Sequence, residues 1–359
     1  MNICIVAGGT GGHIYPALAL ASKYYELGHK IYYIGNENRM EAKLVREKTP
    51  YVFLPIKNDG LKKGFVQKAN ALLSQIKAIK DSRQYLKKHK IDFVIGFGGY
   101  VTFPVCFAAQ KLKIPYFLHE QNAIPGKANL YVEKKAAGVV VCYEKARGYF
   151  KNKNTVLLGN PRASEVVEAQ KNDDILLNLN LNKSKPLIYI VMGSLGSKPF
   201  YKTFVEMVLS KNLSNYQFVI SSGVRDIKEY VEQVSHLPNV NFYQFVDQVS
   251  ILQHTDLVIS RSGATSVSEL MASGVPSILI PSPYVTNNHQ FYNAKECVEL
   301  NAALMIEDKD VTSESLYTLI EATMSNPSLL ETLRFNTQKV AFKESRQNII
   351  KWIDECIHG

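Results

Sequence analysis

Short runs of consecutive apolar residues, beginning with Ile3-Cys4-Ile5-Val6, alternate along this chain with longer stretches in which apolar residues recur at helical spacing. Runs of that length, apolar on both faces, predict strands of a parallel sheet covered on two sides. In the first half they predict strands at 2–7, 30–35, 51–56, 91–96, 114–119, 138–142 and 155–159. Helices should fill the gaps, starting near Tyr15, Glu41, Lys68, Pro104, Lys127 and Glu144. The rhythm then restarts. "PLIYIVMGSLGS" (186–197) again reads as strand, small-residue loop and helix, followed by strands at 217–221, 240–243, 257–260, 277–281 and 302–306. Residues 163–185 are polar and poor in strand signal, which predicts a linker, and the tail from Ser313 reads as helical throughout. The pattern predicts two doubly wound α/β domains, 1–162 and 163–340. Ligands of such sheets bind outside the carboxyl ends of the strands, so the expected site is a cleft between the domains.

Composition narrows the class. At 359 residues and 46% hydrophobic, the chain has enough apolar material for two cores. No apolar run is long enough for a membrane helix, and the chain enters a strand without a basic leader, so no signal peptide is expected. The five scattered cysteines include no C-x-x-C pair, which fits a reducing compartment and predicts no zinc site. The formal charge of +10 points to acidic partners: nucleic acid, anionic lipid or phosphorylated substrates. Much of it lies in "LKKGFVQKANALLSQIKAIKDSRQYLKKHK" (61–90), with Asp81 its one acid. Phe65, Ala69, Leu72, Leu73, Ile76 and Ile79 recur there at helical spacing. One reading is a helix packed on the sheet with a solvated basic back. The other has residues 61–65 dipping into an anionic membrane surface.

The unusual residues fall where the expected strands end. "AGGTGGHIYPALALA" (7–21) follows the first strand. It lacks the third glycine of a dinucleotide fingerprint, because Ile14 stands there, and it lacks the Gly-Lys-Ser/Thr of a P-loop. "FGGYVTFP" (97–104), "HEQNAIPGKAN" (119–129), "GNPRAS" (159–164), "MGSLGS" (192–197), "RSGATSVSEL" (261–270) and "SPYVTNNHQFYNA" (282–294) occupy the later strand ends. At Ala264, Thr265 and Ser266 the amides of a helix start can hold a phosphate, and Glu269 one turn on can grip two ribose hydroxyls. Ordinary helix capping explains the same residues equally well. Ser194 and its glycine neighbours offer a second set of donors. His13 is placed to take a proton from a hydroxyl near neutral pH, or to cap the first helix instead. His119 and Glu120 form another acid/base pair, and Asn122, Asn160, Asn288 and Gln290 carry amides suited to sugar hydroxyls. No metal cluster is evident. These residues alone leave open a nucleotide-sugar transferase, a UDP-sugar epimerase and a non-catalytic nucleotide-sugar sensor.

In this order, these motifs resemble the undecaprenyl-diphospho-muramoylpentapeptide N-acetylglucosaminyltransferases of bacterial cell-wall synthesis, the MurG family (glycosyltransferase family 28). The resemblance implies a GT-B fold of two Rossmann-like domains, with a last helix at about 341–359 returning to the first. It implies UDP-N-acetylglucosamine as donor and lipid I as acceptor, joined with inversion at the cytoplasmic face of the membrane to give lipid II. No cofactor is implied. The expected partners are the two substrates, the anionic inner-leaflet surface and other cell-wall synthesis proteins, with no nucleic acid. The donor positions it implies are Thr10, Gly11, Gly12, Asn122, Ser194, Val246, Ala264, Thr265, Ser266, Val267, Ser268, Glu269 and Gln290. His13 is the candidate base. Gly98, Gly99, Tyr100, His119 and Glu120 are candidates on the acceptor side. Arg162 comes one residue earlier than the family's usual arginine, which leaves its donor contact open.

Overall fold

The computed structural model describes residues 1–58, 65–223 and 226–359, and of residues 65–70 only the backbone. The chain divides into two compact units, Met1–Arg162 with Glu344–Gly359, and Ala163–Lys343. In the first unit the strands are β1 (Asn2–Val6), β2 (Lys30–Asn36), β3 (Val52–Ile56), β4 (Phe93–Gly96), β5 (Tyr116–Glu120), β6 (Gly138–Val141) and β7 (Thr155–Leu157). Among the described residues they form a seven-stranded sheet in the order β3-β2-β1-β4-β5-β6-β7, with parallel pairing throughout. The connecting helices are α1 (Gly11–Glu26), α2 (Met40–Lys48), α3 (Phe65–Lys88), α4 (Thr102–Leu112), α5 (Lys127–Val132) and α6 (Glu144–Arg147).

The strand order reverses between β1 and β4. The loops after these two strands therefore diverge at a switch point, where open α/β sheets bind ligands. Ile3, Ile5, Leu20, Phe93, Phe117 and Val140 form the core around that sheet. The final helix joins the same core through Ile349, Ile350 and Ile353, and its Trp352 meets Phe117 edge-on at 5.6 Å. Each isoleucine so buried contributes about 1.5–3 kcal/mol, which fixes this helix on a unit far from it in sequence.

Two short helices, α7 (Pro161–Glu168) and α8 (Asp174–Asn178), occupy the segment expected to be a bare linker. Ile175 and Leu176 are buried there, so the polar composition hid two packed positions. The second unit holds β8 (Leu187–Val191), β9 (Gln217–Ser221), β10 (Val240–Tyr243), β11 (Leu257–Ser260), β12 (Ser277–Leu279) and β13 (Leu304–Met305). Its sheet, six-stranded among the described residues, runs β10-β9-β8-β11-β12-β13, all parallel. Its switch point lies between β8 and β11. Its helices are α9 (Lys198–Ser210), α10 (Lys228–Val234), α11 (Gln248–Leu252), α12 (Ala264–Ser273), α13 (His289–Glu299), α14 (Ser313–Met324) and α15 (Pro327–Thr337), and the final helix, α16 (Ser345–His358), belongs to the first unit. The tail is thus broken by turns between α15 and α16 rather than helical throughout.

The basic stretch departs from the packed-helix expectation. Leu72, Leu73 and Ile76 face outward at 62, 65 and 56% exposure, while Ala78, Ser82 and Leu86 are buried. The helix turns a different stripe to the sheet than its largest apolar residues suggest. The segment expected to dip into a membrane lies outside the described residues at 61–64 and in the Phe65 side chain. No described helix is long and apolar enough to cross a membrane.

Candidate functional site

In the first unit the site is built from the loops at the β1/β4 switch point. After β1, Gly9 and Thr10 are exposed, and α1 opens at Gly11 with Thr10 as its N-cap residue. The first amides of a helix have no carbonyl of their own helix to bond, so they and the helix dipole favour an anion or a sugar oxygen there. His13 lies in the first turn, half-buried, with Nδ1 3.5 Å from Thr10 Oγ1.

The loop after β4 supports that imidazole. A Cβ on Gly98 would stand 3.0 Å from His13 Cδ2 and 3.1 Å from Nε2, so the ring lies flush against this glycine. Gly99 has φ +79°, and a Cβ there would come within 2.2 Å of the Gly8 carbonyl oxygen. Only glycine lets the two loops meet so closely. Thr102 Oγ1 closes the turn, accepting from Gly98 N at 3.0 Å and donating to Gly98 O at 2.6 Å. Tyr100, 62% exposed, presents its ring to solvent beside these glycines, while its carbonyl accepts from Asn58 Nδ2 at 2.6 Å.

His119 and Glu120 are not placed to touch a ligand, which corrects the expectation that they line the acceptor side. They are 1 and 2% exposed, because β5 is an interior strand covered on both faces. His119 stacks on Phe97 at 4.9 Å, with Nε2 3.0 Å from Gly159 O and Nδ1 3.0 Å from Gln121 Nε2. Glu120 accepts from the amides of Asn122 (3.1 Å) and Gly126 (3.0 Å) and from Asn129 Nδ2 (2.9 Å). The pair therefore fixes the 121–129 loop, and with it Asn122, whose side chain also reaches Glu120 at 3.4 Å. Burial lowers the His119 pKa to about 4, against a smaller opposing effect of the Gly159 carbonyl. Burial raises that of Glu120, opposed by its hydrogen bonds to Asn122, Gly126 and Asn129.

The two shifts have opposite effects on stability. His119 binds its proton more readily unfolded, so it costs stability as pH falls from 6.5 toward 4, by about 3 kcal/mol in full. Glu120 binds its proton more readily folded and offsets part of that loss. A His119→Gln variant should be less stable than wild type at pH 7, and the gap should close as pH falls to 4. Denaturant titrations across that range check this, and a constant gap would count against it.

Arg162 follows Asn160, whose Oδ1 accepts from Arg162 N at 3.0 Å. Its guanidinium lies over the Tyr15 ring of α1 at 5.9 Å, against the outer face of the first-loop helix.

The second unit repeats the arrangement at its own switch point. Ser194 is exposed in the loop after β8, and α12 starts at Ala264 behind the N-cap residue Gly263. Ala264, Thr265 and Ser266 form the first turn of α12 and aim their amides along its axis. Val267 turns its side chain into the core at 2% exposure and gives its N–H to Gly263 O at 2.9 Å. Ser268 bonds back to Ala264 O at 2.9 Å. The side chain of Val267 thus packs inward and shapes the helix start, while Ser268 stands half-buried one residue on.

Glu269 is 5% exposed, and its Oε2 accepts from Gln248 Nε2 of α11. Half-buried Val246 stands two residues before that glutamine. Gln290 is held at the start of α13, its Oε1 accepting from Ser282 N at 2.9 Å and its carbonyl from Ser262 Oγ at 2.9 Å.

Two positioning residues of this unit were not singled out in the sequence. Gln248 orients Glu269. Arg261, 8% exposed at the end of β11, donates to Asp308 Oδ1, to Ile280 O at 3.2 Å and to Ser197 Oγ at 3.0 Å. It thus ties the phosphate-type loop after β8 to the ends of β11 and β12. An arginine standing immediately at a strand end was the available signal. Among the described residues, no three His, Cys, Asp or Glu side chains gather as a metal-ligand set.

Comparison with known proteins identifies the family. Residues 3–141 match the glycosyltransferase family 28 N-terminal domain and residues 187–351 the family's C-terminal domain. A Bacillus cytotoxicus protein named UDP-N-acetylglucosamine–N-acetylmuramyl-(pentapeptide) pyrophosphoryl-undecaprenol N-acetylglucosamine transferase is 37% identical, covering 98% of each chain. A Bacillus thuringiensis protein of the same name, numbered 1, is 35% identical over 99% of this chain and 100% of its own. Among solved structures, Acinetobacter baumannii MurG superposes with a TM-score of 0.80 at 25% identity, covering 99% of both chains. A Neisseria meningitidis UDP-GlcNAc 2-epimerase bound to UDP-GlcNAc shares the fold, with a TM-score of 0.71 at 14% identity and coverage of 99% of this chain and 100% of its own.

Proposed function

The chain belongs to glycosyltransferase family 28, and from that premise we propose how its residues carry out the family's reaction. It is a GT-B glycosyltransferase that moves N-acetylglucosamine from its UDP carrier to undecaprenyl-pyrophosphoryl N-acetylmuramyl-pentapeptide, producing lipid II for peptidoglycan.

In our reading the second unit holds the donor. The diphosphate rests on the amides at the start of α12 and on Ser194, the ribose on Glu269, the uracil beside Val246 and the sugar on Gln290. The first unit holds the acceptor, with Thr10, Gly11, Gly12 and Asn122 reaching the donor sugar and Gly98, Gly99 and Tyr100 on the acceptor side. The His13 imidazole, next to Thr10 Oγ1, takes the proton of the acceptor's C4 hydroxyl. As that proton moves to the imidazole, the hydroxyl oxygen bonds to the anomeric carbon. The bond from that carbon to the diphosphate breaks, and UDP leaves with the electron pair. Attack opposite the leaving group inverts the anomeric centre. The helix-start amides meet the charge growing on the leaving diphosphate, with no resident metal or other cofactor called on. Arg162, stacked on Tyr15, supports the first-loop helix in this reading rather than touching the donor.

The observation that carries the assignment of roles is the seating of His13. Among the described residues it is the one histidine in the first turn of a helix at a sheet switch point, and its ring lies against Gly98 of the neighbouring loop. The test is transfer of labelled N-acetylglucosamine from UDP-N-acetylglucosamine to a lipid I analogue. Turnover of the UDP-sugar without acceptor would instead favour an epimerase. Glu269→Ala should weaken UDP binding about 10- to 100-fold by calorimetry, through loss of charge-assisted hydrogen bonds to the ribose. Unchanged affinity would remove Glu269 from the donor site.

In the same reading the enzyme works at the cytoplasmic membrane face, where a lipid-linked acceptor would be held. Supporting this, Leu72, Leu73 and Ile76 share one outward face of α3, with Lys77 and Lys80 exposed beside them. Apolar side chains flanked by lysines suit an anionic inner-leaflet surface. The net charge of +10 serves the same surface and the diphosphate substrates.

A further inference from the structure

Glu41, the second residue of α2, is fully buried beneath the first glycine loop, a costly place for a carboxyl group unless it has partners. Its Oε1 accepts from Asn36 N at the end of β2 (3.0 Å), and its Oε2 faces Gly9 N at 3.5 Å. A Cβ on Gly8 would stand 2.5 Å from Oε1, so the loop lies directly on this carboxyl group. The network continues outward. Asn36 Nδ2 donates to Asn58 O at 2.6 Å, and Asn58 Nδ2 donates to Tyr100 O at 2.6 Å. One chain of hydrogen bonds, buried in its middle and part-buried at its ends, thus links the loop that carries His13 to the loop on which its ring rests.

We propose that Glu41 is a positioning residue for transfer, setting the spacing of the 8–12 and 98–102 loops and hence the placement of His13 for the acceptor hydroxyl. The proposal rests on the functional reading above and adds a residue to its machinery. Two donors converge on Glu41, and only an acceptor at both oxygens satisfies both. Glutamine has the same shape but presents an NH₂ group to one of the two N–H donors. The substitution therefore breaks one link while leaving the packing nearly intact.

The test compares wild type, Glu41→Gln and Gly8→Ala as full chains. Acceptor kinetics use a lipid I analogue at saturating UDP-N-acetylglucosamine, UDP affinity is measured by calorimetry, and amide hydrogen exchange follows both loops. For Glu41→Gln, kcat/KM for the acceptor should fall about tenfold or more while UDP affinity stays within about twofold. Exchange in the 8–12 and 98–102 loops should quicken. Gly8→Ala, which drives a methyl into Oε1, should change both readouts in the same direction and keeps the test alive if Glu41→Gln fails to fold. Wild-type acceptor kinetics in the folded variants would overturn the proposal, as would unchanged loop exchange or a parallel loss of UDP affinity. A wild-type protein that transfers nothing to the analogue would instead overturn the functional reading, and loop exchange would still decide whether Glu41 sets the loops.

Discussion

Replacing His13 with alanine should lower kcat for transfer about 10²- to 10⁴-fold, the usual contribution of a positioned general base, with UDP affinity unchanged. The second half of that expectation is as important as the first. The groups assigned to UDP lie on α12, the loop after β8 and the loop between β10 and α11, all in the unit that lacks His13. A loss confined to turnover would mark a residue that acts in the transition state, whereas a rise in KM alone would mark one that only binds. Near wild-type turnover by the alanine variant would remove His13 from the chemistry and return it to the role of a helix-start residue.

A Gly99→Ala variant should lose about 3 kcal/mol of stability and most of its transfer activity, as read by denaturant unfolding and by the lipid I assay. The cost has two sources. The backbone at φ +79° is a conformation that alanine adopts only with strain, and its methyl would overlap the Gly8 carbonyl oxygen at 2.2 Å. No flexible side chain is available there to yield, so the two loops must part. Parting them withdraws Gly98 from the His13 ring. Unchanged stability and activity would mean that the loops do not need their close contact.

Much of this was legible in the sequence because it depends on local rules. Buried parallel strands read as continuous apolar runs, and those at 2–7, 30–35 and 217–221 fell within a residue or so of β1, β2 and β9. The start of α12 at Ala264 was readable from a glycine followed by small, polar residues. The outward face of α3 was not readable. Periodicity gives the spacing of a stripe but not which stripe meets the sheet, and here the buried stripe is Ala78, Ser82 and Leu86. The two helices within 163–185 were missed because a short segment buries too few residues to raise a periodic signal.

By itself the sequence determined the two α/β sheets, the glycine loops at their strand ends, and the motif order that places the chain in its transferase family. Each of these is written in neighbouring residues. Only the tertiary structure decided which polar groups face outward and which hold others in place. His119 and Glu120 look like an exposed acid/base pair in the sequence, yet they lie inside on a central strand and secure a loop. Glu41 looks like an ordinary helix-start acid, yet it is buried beneath the glycine loop with two backbone donors on it. The physical reason is that burial and hydrogen-bond partnership belong to residues far apart in the chain, and no local pattern records them until the sheet brings them together.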